Sequence, residues 1–430
     1  MVPAVVELTG RLERWVRPRA GAWGLSSATI AVLVLGLLVR LVWISVHPVT
    51  PIADFQAYSE LARTLAHDGI YGQTPDAPQA FWPPGWPVAL AGLYAFTGQN
   101  ADAGAMYGAV FEWMAVVIAA VVAARLLRPP FAFAAVAVMC LYPSAIGYAP
   151  VLATEHIAAL LFTGLVTLMA FTKPDLRTSL AVGLIEGALI LVRGDYGVAM
   201  APVAAVWLVR GVELRRLPAV GAVAVAGTLL FVGPWTARNA STFGEFIPTS
   251  TNGGLTFYLG TVGPRWSFPT ALQQHGFTSY TKPKAHENVY YRLGWERIKQ
   301  DPIAWVALDA KRVYYQYGKE NTMLRLGETR NPWIARFALL YWWVIVGFAI
   351  VGFVVLARRR RQLPRPWLII AASILAVSFL KLFFVVNERD RLPLTYLLIV
   401  IAGLGAQQLF ELLEERRSRT SDPHEPLAGV

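Results

Sequence analysis

Residues 26–46 read SSATIAVLVLGLLVRLVWISV, and this stretch decides the class of the molecule. Its length matches the roughly 20 residues an α-helix needs to cross a hydrocarbon core of about 30 Å at about 1.5 Å per residue. A backbone in lipid must satisfy its own hydrogen bonds, so such a run reads as a spanning helix. Composition extends the reading to the rest of the chain. Of 430 residues, 56% are apolar and 15% charged, with a mean hydropathy of +0.47, whereas a soluble domain has about 45–50% and about 25%. The fold class expected is an all-α polytopic membrane protein. The basic start, Arg11 to Arg19, precedes the run with no small-residue cleavage pattern after it, which argues against a cleavable signal peptide. Cys140 is the sole cysteine, so no intrachain disulfide can form and the redox compartment is left open.

Outward from that helix, the same ruler gives about ten spans, near 26–46, 103–125, 131–150, 154–172, 178–193, 196–211, 217–237, 334–357, 366–387 and 392–411. Residues 83–97 are apolar but short. If they do not cross, the basic clusters Arg11 to Arg19, Arg125/Arg128, Lys173/Arg177, Arg210/Arg215/Arg216, Arg358 to Arg361 and Arg416/Arg417/Arg419 share one side, the cytoplasm. If they cross, the amino-terminal cluster stands opposed to all the others. Segment 83–97 is therefore expected as a re-entrant or interface-lying helix, started by Trp82-Pro83-Pro84-Gly85-Trp86-Pro87.

This topology divides the chain into four parts. Residues 1–237 form an amino-terminal membrane module with a first outer loop, 47–102; 238–333 form an outer cap; 334–411 hold the last spans; 412–430 are a cytoplasmic tail, expected to be disordered from Arg416. Within the cap, Tyr290 to Ile298 and Trp305 to Tyr314 read as two aromatic-rich amphipathic helices lying on the bilayer or over the bundle. Thr249 to Gly254 reads as a turn-rich loop whose glycines allow close backbone approach.

The outer side then collects Asp54-Phe55-Gln56-Ala57-Tyr58, Glu155-His156, Arg193-Gly194-Asp195, Arg238 and Glu388-Arg389-Asp390-Arg391, all at helix mouths. Several of these arginines run against the positive-inside bias. In their order and placement, Asp54 to Tyr58, Trp82 to Pro87, Glu155, Arg193, Pro234 to Asn239, Ser250 to Gly254 and Tyr258-Leu259-Gly260 resemble the integral-membrane glycosyltransferases of the C-type fold. The likeness is nearest to the protein O-mannosyltransferase superfamily, which includes the transferases that add aminoarabinose to lipid A, and it covers residues 26–411. It implies about ten transmembrane helices with outer juxtamembrane helices, and a sugar moved with inversion from a polyprenyl-phosphate carrier on the extracytoplasmic face of the inner membrane. The acceptor implied is a glycolipid, a polysaccharide or a protein. The larger members also carry a soluble carboxy-terminal domain, which is not expected here.

Such chemistry needs a base for the acceptor group and cations for the departing phosphate. Asp54 is the candidate base and Glu155 a second catalytic carboxylate; Arg193, Arg238, Arg389 and Arg391 are candidates for the phosphate. Tyr58, Trp82, Trp86, His156, Asn252 and Tyr258 are expected to line the substrate groove. Glu155 and His156 form a weak metal signal, so a divalent metal is the one cofactor considered. Ordinary alternatives stand beside these roles. Asp54 can be the N-cap of a helix with apolar Phe55, Tyr58, Leu61, Ala62 and Leu65, and Glu155 can simply complement a helix dipole. Arg193 with Asp195 can be an interfacial ion pair, Glu388 to Arg391 a self-neutralised loop, and Asn252 to Gly254 a plain turn. No Walker loop, dinucleotide fingerprint or zinc spacing is present, and no nucleic-acid partner is expected. The alternative function is a transporter or flippase for a polyprenyl-linked or anionic solute. It would want midplane charges or repeats, whereas the spans carry few midplane charges, chiefly Glu112 and Glu186 with Lys381 nearer an outer end, and the halves show no repeat, so the transferase is the preferred reading.

Overall fold

The computed structural model describes residues 25–263, 270–276, 279, 281–320, 322–359 and 361–421. The basic cluster Arg11 to Arg19 lies outside the described residues, as does the tail beyond Ser421. In chain order the helices are α1 (Ser27–Val46), α2 (Ala53–Asp68), α3 (Gly85–Thr97), α4 (Ala101–Leu126), α5 (Pro129–Cys140), α6 (Pro143–Tyr148), α7 (Thr154–Phe171), α8 (Leu176–Val192) and α9 (Gly194–Gly211). They continue as α10 (Leu217–Phe243), α11 (Gly253–Val262), α12 (Thr270–His275), α13 (Pro283–Gln300), α14 (Pro302–Tyr317), α15 (Thr322–Leu326), α16 (Pro332–Arg359), α17 (Arg365–Leu380) and α18 (Leu392–Ser421). Among the described residues the only β pairing is an isolated bridge between Gly72 and Pro78.

Local chemistry sets many of these boundaries. Ser26 accepts from the Thr29 amide at 3.2 Å to cap α1, Asn100 caps α4 through Ala103 at 3.0 Å, and Asp175 with Thr178 closes a capping box on α8. Proline stands in the first turn of α5, α6, α10, α13 and α14, where its missing N–H costs nothing. Glycines then let spans approach closely. A Cβ on Gly183 would lie 2.0 Å from the Ala224 carbonyl oxygen, and one on Gly405 would lie 2.0 Å from that of Phe348, so α8 meets α10 and α16 meets α18 backbone to backbone.

Among the described residues, eight helical segments are long and apolar enough to cross a membrane. The expected spans 178–193 and 196–211 are present as helices, α8 of 17 residues and α9 of 18, but are not among those eight. The short helix α3 has 13 residues, about 20 Å against a core of about 30 Å. It packs on α2, and Gly85 at its start leaves no room for a Cβ against Val192. The main core runs through α4, α5, α7 and α18. A second, smaller core of Phe81, Leu255, Tyr258, Leu259, Tyr290 and Val385 seats the cap.

Three boundaries differ from the sequence reading. The expected span 366–387 ends as a helix at Leu380, followed by a 3₁₀ turn at Lys381–Phe383, and Glu388–Arg391 is a second 3₁₀ turn leading straight into α18. The tail expected to be disordered from Arg416 remains helical to Ser421, because Glu411 to Arg417 are good helix formers and no proline intervenes before Pro423. The loop expected at Thr249 to Gly254 instead starts α11 at Gly253, and a Cβ on Gly254 would lie 2.3 Å from the Glu287 carbonyl oxygen.

Candidate active site

A cavity of about 610 Å³ opens where α2, α7, α8, α9, α10 and the end of α17 meet the cap. Asp54 enters it from the first turn of α2. The cap position of that helix is Ile52, which makes no side-chain cap bond, so Asp54 is not the N-cap. Ala53 before it holds φ at +49°, a left-handed conformation that costs a non-glycine residue about 1–2 kcal/mol. The Asp54 carboxylate is thereby left free for Arg389, whose Nη2 donates to Oδ2 at 3.3 Å.

Glu155 stands in the first turn of α7 with its side chain 2% exposed. Its Oε1 accepts from Arg193 Nη1 at 2.8 Å and lies 3.7 Å from Arg389 Nε. Arg193 occupies the break between α8 and α9 in extended conformation, which projects its guanidinium across the mouth of the bundle. There it also meets Asp390 at 2.7 Å and Asp195 at 3.5 Å. Lys381, in the 3₁₀ turn after α17, closes the set, with Nζ 2.5 Å from Asp195 and 3.6 Å from Asp390. The result is one alternating network in which every cation touches two carboxylates or more. Solvent exclusion strengthens each of these contacts relative to a surface pair.

Around this network the walls differ in kind. Toward the membrane helices the cavity is apolar, with Ile190, Val198, Leu229, Val232, Leu380 and Phe384. Between α2 and the start of α3, Tyr58 and Trp82 meet edge to face, their ring centroids 5.6 Å apart. Burial, with the Asp54 and Glu155 charges adding to it, holds the Tyr58 phenol far above its ordinary range, so it stays a hydrogen-bond donor. From the cap come Asn252, Gly253, Lys284, Glu287 and Tyr291. Burial first, then Glu287, pushes the Tyr291 phenol up to about 12.

Of the residues singled out in the sequence, Asp54, Glu155, Arg193, Arg389, Tyr58, Trp82 and Asn252 line the cavity; Arg238, Arg391, His156, Trp86 and Tyr258 do not. Arg238 donates to the carbonyls of Gln79 at 2.9 Å and Tyr71 at 3.0 Å and packs on Trp235, so it clamps the segment between α2 and α3 to α10. Arg391 is fully buried, bound to Glu320 and to the carbonyls of Gln316 and Lys319, with its guanidinium 3.8 Å from the Trp342 ring centroid. His156 turns inward on α7, with Nδ1 2.5 Å from Glu112 and Nε2 3.1 Å from the Val151 carbonyl. Trp86 donates to the Leu152 carbonyl at 3.0 Å inside the bundle, and Tyr258 belongs to the small core beneath the cap. Adjacent residues on a helix diverge by about 100°, which is why Glu155 and His156 cannot share a metal here. Among the described residues no group of three or more His, Cys, Asp and Glu side chains is placed to hold a metal ion.

The sequence reading gave no role to Lys381, Lys284, Glu287 and Tyr291. Lys381 did carry a signal, a lone cation in the apolar run Ser378-Phe379-Leu380-Lys381-Leu382-Phe383. The cap residues carried none, because their arrival at the cavity depends on how α13 packs against α11.

No protein-family model matches the sequence, and no curated protein sequence matches it. Solved structures do. The archaeal oligosaccharyltransferase AglB from Archaeoglobus fulgidus, in complex with an inhibitory peptide and a dolichol-phosphate, superposes with a TM-score of 0.51 at 13% identity, covering 92% of this chain and 52% of that one. The same archaeal enzyme tethered to an acceptor peptide gives 0.52 at 14% identity, covering 91% and 50%. ArnT from Cupriavidus metallidurans bound to undecaprenyl phosphate gives 0.41 at 15% identity, covering 88% and 77%. The chain spans about half the length of the archaeal enzyme. At 13–14% identity the two archaeal superpositions show the fold: this is a multi-pass membrane protein with the C-type glycosyltransferase architecture.

Proposed function

We propose that the protein is a membrane glycosyltransferase that moves a hexose or pentose, with inversion, from a polyprenyl-phosphate carrier to an acceptor on the extracytoplasmic face of the inner membrane. The observation that carries this reading is the cavity itself, which sets Asp54, Glu155 and Arg389 together at the head of an apolar wall. A lipid-linked phosphate needs such a division, with cations for its head and apolar surface for its tail. In this reading Asp54 is the general base and Glu155 the second carboxylate, which orients Arg389 and Arg193. These two, with Lys381, take the phosphate instead of Arg238 and Arg391, since only the former line the cavity. A guanidinium about 4 Å from the developing phosphate charge contributes about 4 kcal/mol at an effective dielectric of about 20, enough to alter a barrier by orders of magnitude. Tyr58 and Trp82 line the transferred sugar's position, and Asn252 lies in the groove on the acceptor side of it. Residues 1–237 with 334–411 form the catalytic membrane body, 238–333 the outer cap and 412–430 the cytoplasmic tail.

The test is turnover in nanodiscs with a panel of radiolabelled polyprenyl-phosphate hexoses and pentoses, with and without membrane extract. The parent protein should release or transfer label, and Asp54→Asn should fold normally yet lose about 10²–10⁴-fold in rate, the range for a positioned general base. Full activity in Asp54→Asn would remove that residue from the mechanism. Donor binding without turnover in every combination would refute the transferase reading.

A further inference from the structure

The cavity wall built by the cap has no part in the phosphate chemistry just described, and its composition constrains the acceptor. Taken together, five carboxylates (Asp54, Glu155, Asp195, Glu287 and Asp390) face four cations (Arg193, Lys284, Lys381 and Arg389), an excess of one negative charge before any ligand arrives. Each cation already lies within ion-pair distance of a carboxylate. A carrier phosphodiester adds a further negative charge and draws on the cations of the membrane side. A second anion, on the acceptor, would meet Lys284 alone, and that ammonium is held by Glu287 at 2.7 Å. Juxtaposed like charges in a restricted site are strongly disfavoured.

What the cap wall does offer is hydrogen bonding beside aromatic surface. The buried Glu287 accepts from the Gly254 amide at 3.2 Å and from Lys284. The Lys284 ammonium has donors beyond the one given to Glu287. Asn252 accepts from the Ser250 hydroxyl at 3.0 Å through Oδ1, which leaves its amide N–H groups as donors. The Tyr291 and Trp82 rings line the same space. Placed donors and acceptors next to aromatic faces suit an uncharged, hydroxyl-rich ring.

We propose, resting on the transferase reading, that the acceptor is a hydroxyl group of an uncharged glycan, held by the cap wall of Asn252, Lys284, Glu287 and Tyr291. The acceptor oxygen forms a bond to the anomeric carbon, and the bond from that carbon to the phosphate oxygen breaks. Its electron pair leaves with the phosphate, while the hydroxyl proton passes to the Asp54 carboxylate and then to water.

The full chain in nanodiscs, with a polyprenyl-phosphate sugar as donor, is offered an alkyl glucoside and the same glucoside bearing a 6-phosphate. The neutral glucoside should be used at least about tenfold better in kcat/KM, a ratio well within what a site selective for polar groups achieves. Asn252→Ala and Lys284→Met should each raise the acceptor KM about tenfold more than the donor KM. Equal or better use of the phosphorylated glucoside, or equal shifts in both KM values, overturns the proposal. Asp54-dependent label release with transfer to neither glucoside refutes the acceptor assignment and leaves the transferase reading standing. No release and no transfer with any donor refutes the transferase reading, and the acceptor assignment falls with it.

Discussion

Arg193 is the side chain on which the charged network turns, and replacing it with methionine gives a prediction with a worked magnitude. Its guanidinium lies 2.8 Å from Glu155, 2.7 Å from Asp390 and 3.5 Å from Asp195, with the Arg193 side chain 13% exposed. A charge pair at about 4 Å is worth about 4 kcal/mol at an effective dielectric of about 20. Removing one partner of a buried pair typically costs about 3–5 kcal/mol, because the other charge is left uncompensated. Asp195 and Asp390 retain Lys381, and Glu155 retains Arg389 at 3.7 Å. Arg193→Met should therefore fall at the lower end, about 3 kcal/mol. Adding Glu155→Gln removes the carboxylate that depends most on Arg193, so the double variant should be less destabilised than the sum of the singles by at least about 1 kcal/mol. The assay is equilibrium unfolding in mixed micelles, run as a double-mutant cycle. A cost for Arg193→Met below about 0.5 kcal/mol, or additivity within about 0.5 kcal/mol, would refute the reasoning.

Three further outcomes follow from particular residues. Both carboxylate oxygens of Glu186 are buried in α8 without a hydrogen-bond partner, so Glu186→Leu should stabilise the protein by about 1–3 kcal/mol in the same unfolding assay; a loss of stability would mean that the carboxyl has a partner. The Tyr291 phenol is raised to about 12 by burial and by Glu287. The folded state therefore holds a proton that the unfolded chain releases near pH 10, and stability present below about pH 10 is lost as pH rises toward about 12. Tyr291→Phe should flatten that loss, and an unchanged alkaline slope in the variant would count against the assignment. For topology, Cys140 is buried, so single added cysteines report cleanly. Lys282→Cys should label from outside in sealed cells and Arg361→Cys should not, whereas labelling of both or neither would overturn the proposed face.

How much of this was legible in the sequence depended on whether the signal was local. The spans at 26–46, 103–125 and 334–357 were readable because lipid demands an unbroken apolar run of fixed length, and α1, α4 and α16 cover those intervals. The two amphipathic helices of the cap were readable in the same way, from period alone, and are present as α13 and α14. Asp54, Glu155, Arg193 and Arg389 were found as charges at helix mouths, and all four line one cavity. Arg238 and Arg391 carried the same signal and went elsewhere. A guanidinium satisfies carbonyl oxygens as readily as carboxylates, and only packing decides which lies in reach: for Arg238 the carbonyls of Tyr71 and Gln79, for Arg391 Glu320 and the end of α14.

The sequence by itself determined a helical membrane protein, the positions of most of its spans, and the residue types available at their mouths, because hydrophobic length and helical period are properties of short stretches of chain. Tertiary structure decided which of those mouths converge. Lys381 comes to face Asp195 from a distant position in the chain, and Glu287 reaches the cavity only because Gly254 lets α11 lie against α13. Charges separated by a hundred residues or more interact only once the helices carrying them are packed, and no local pattern records that distance.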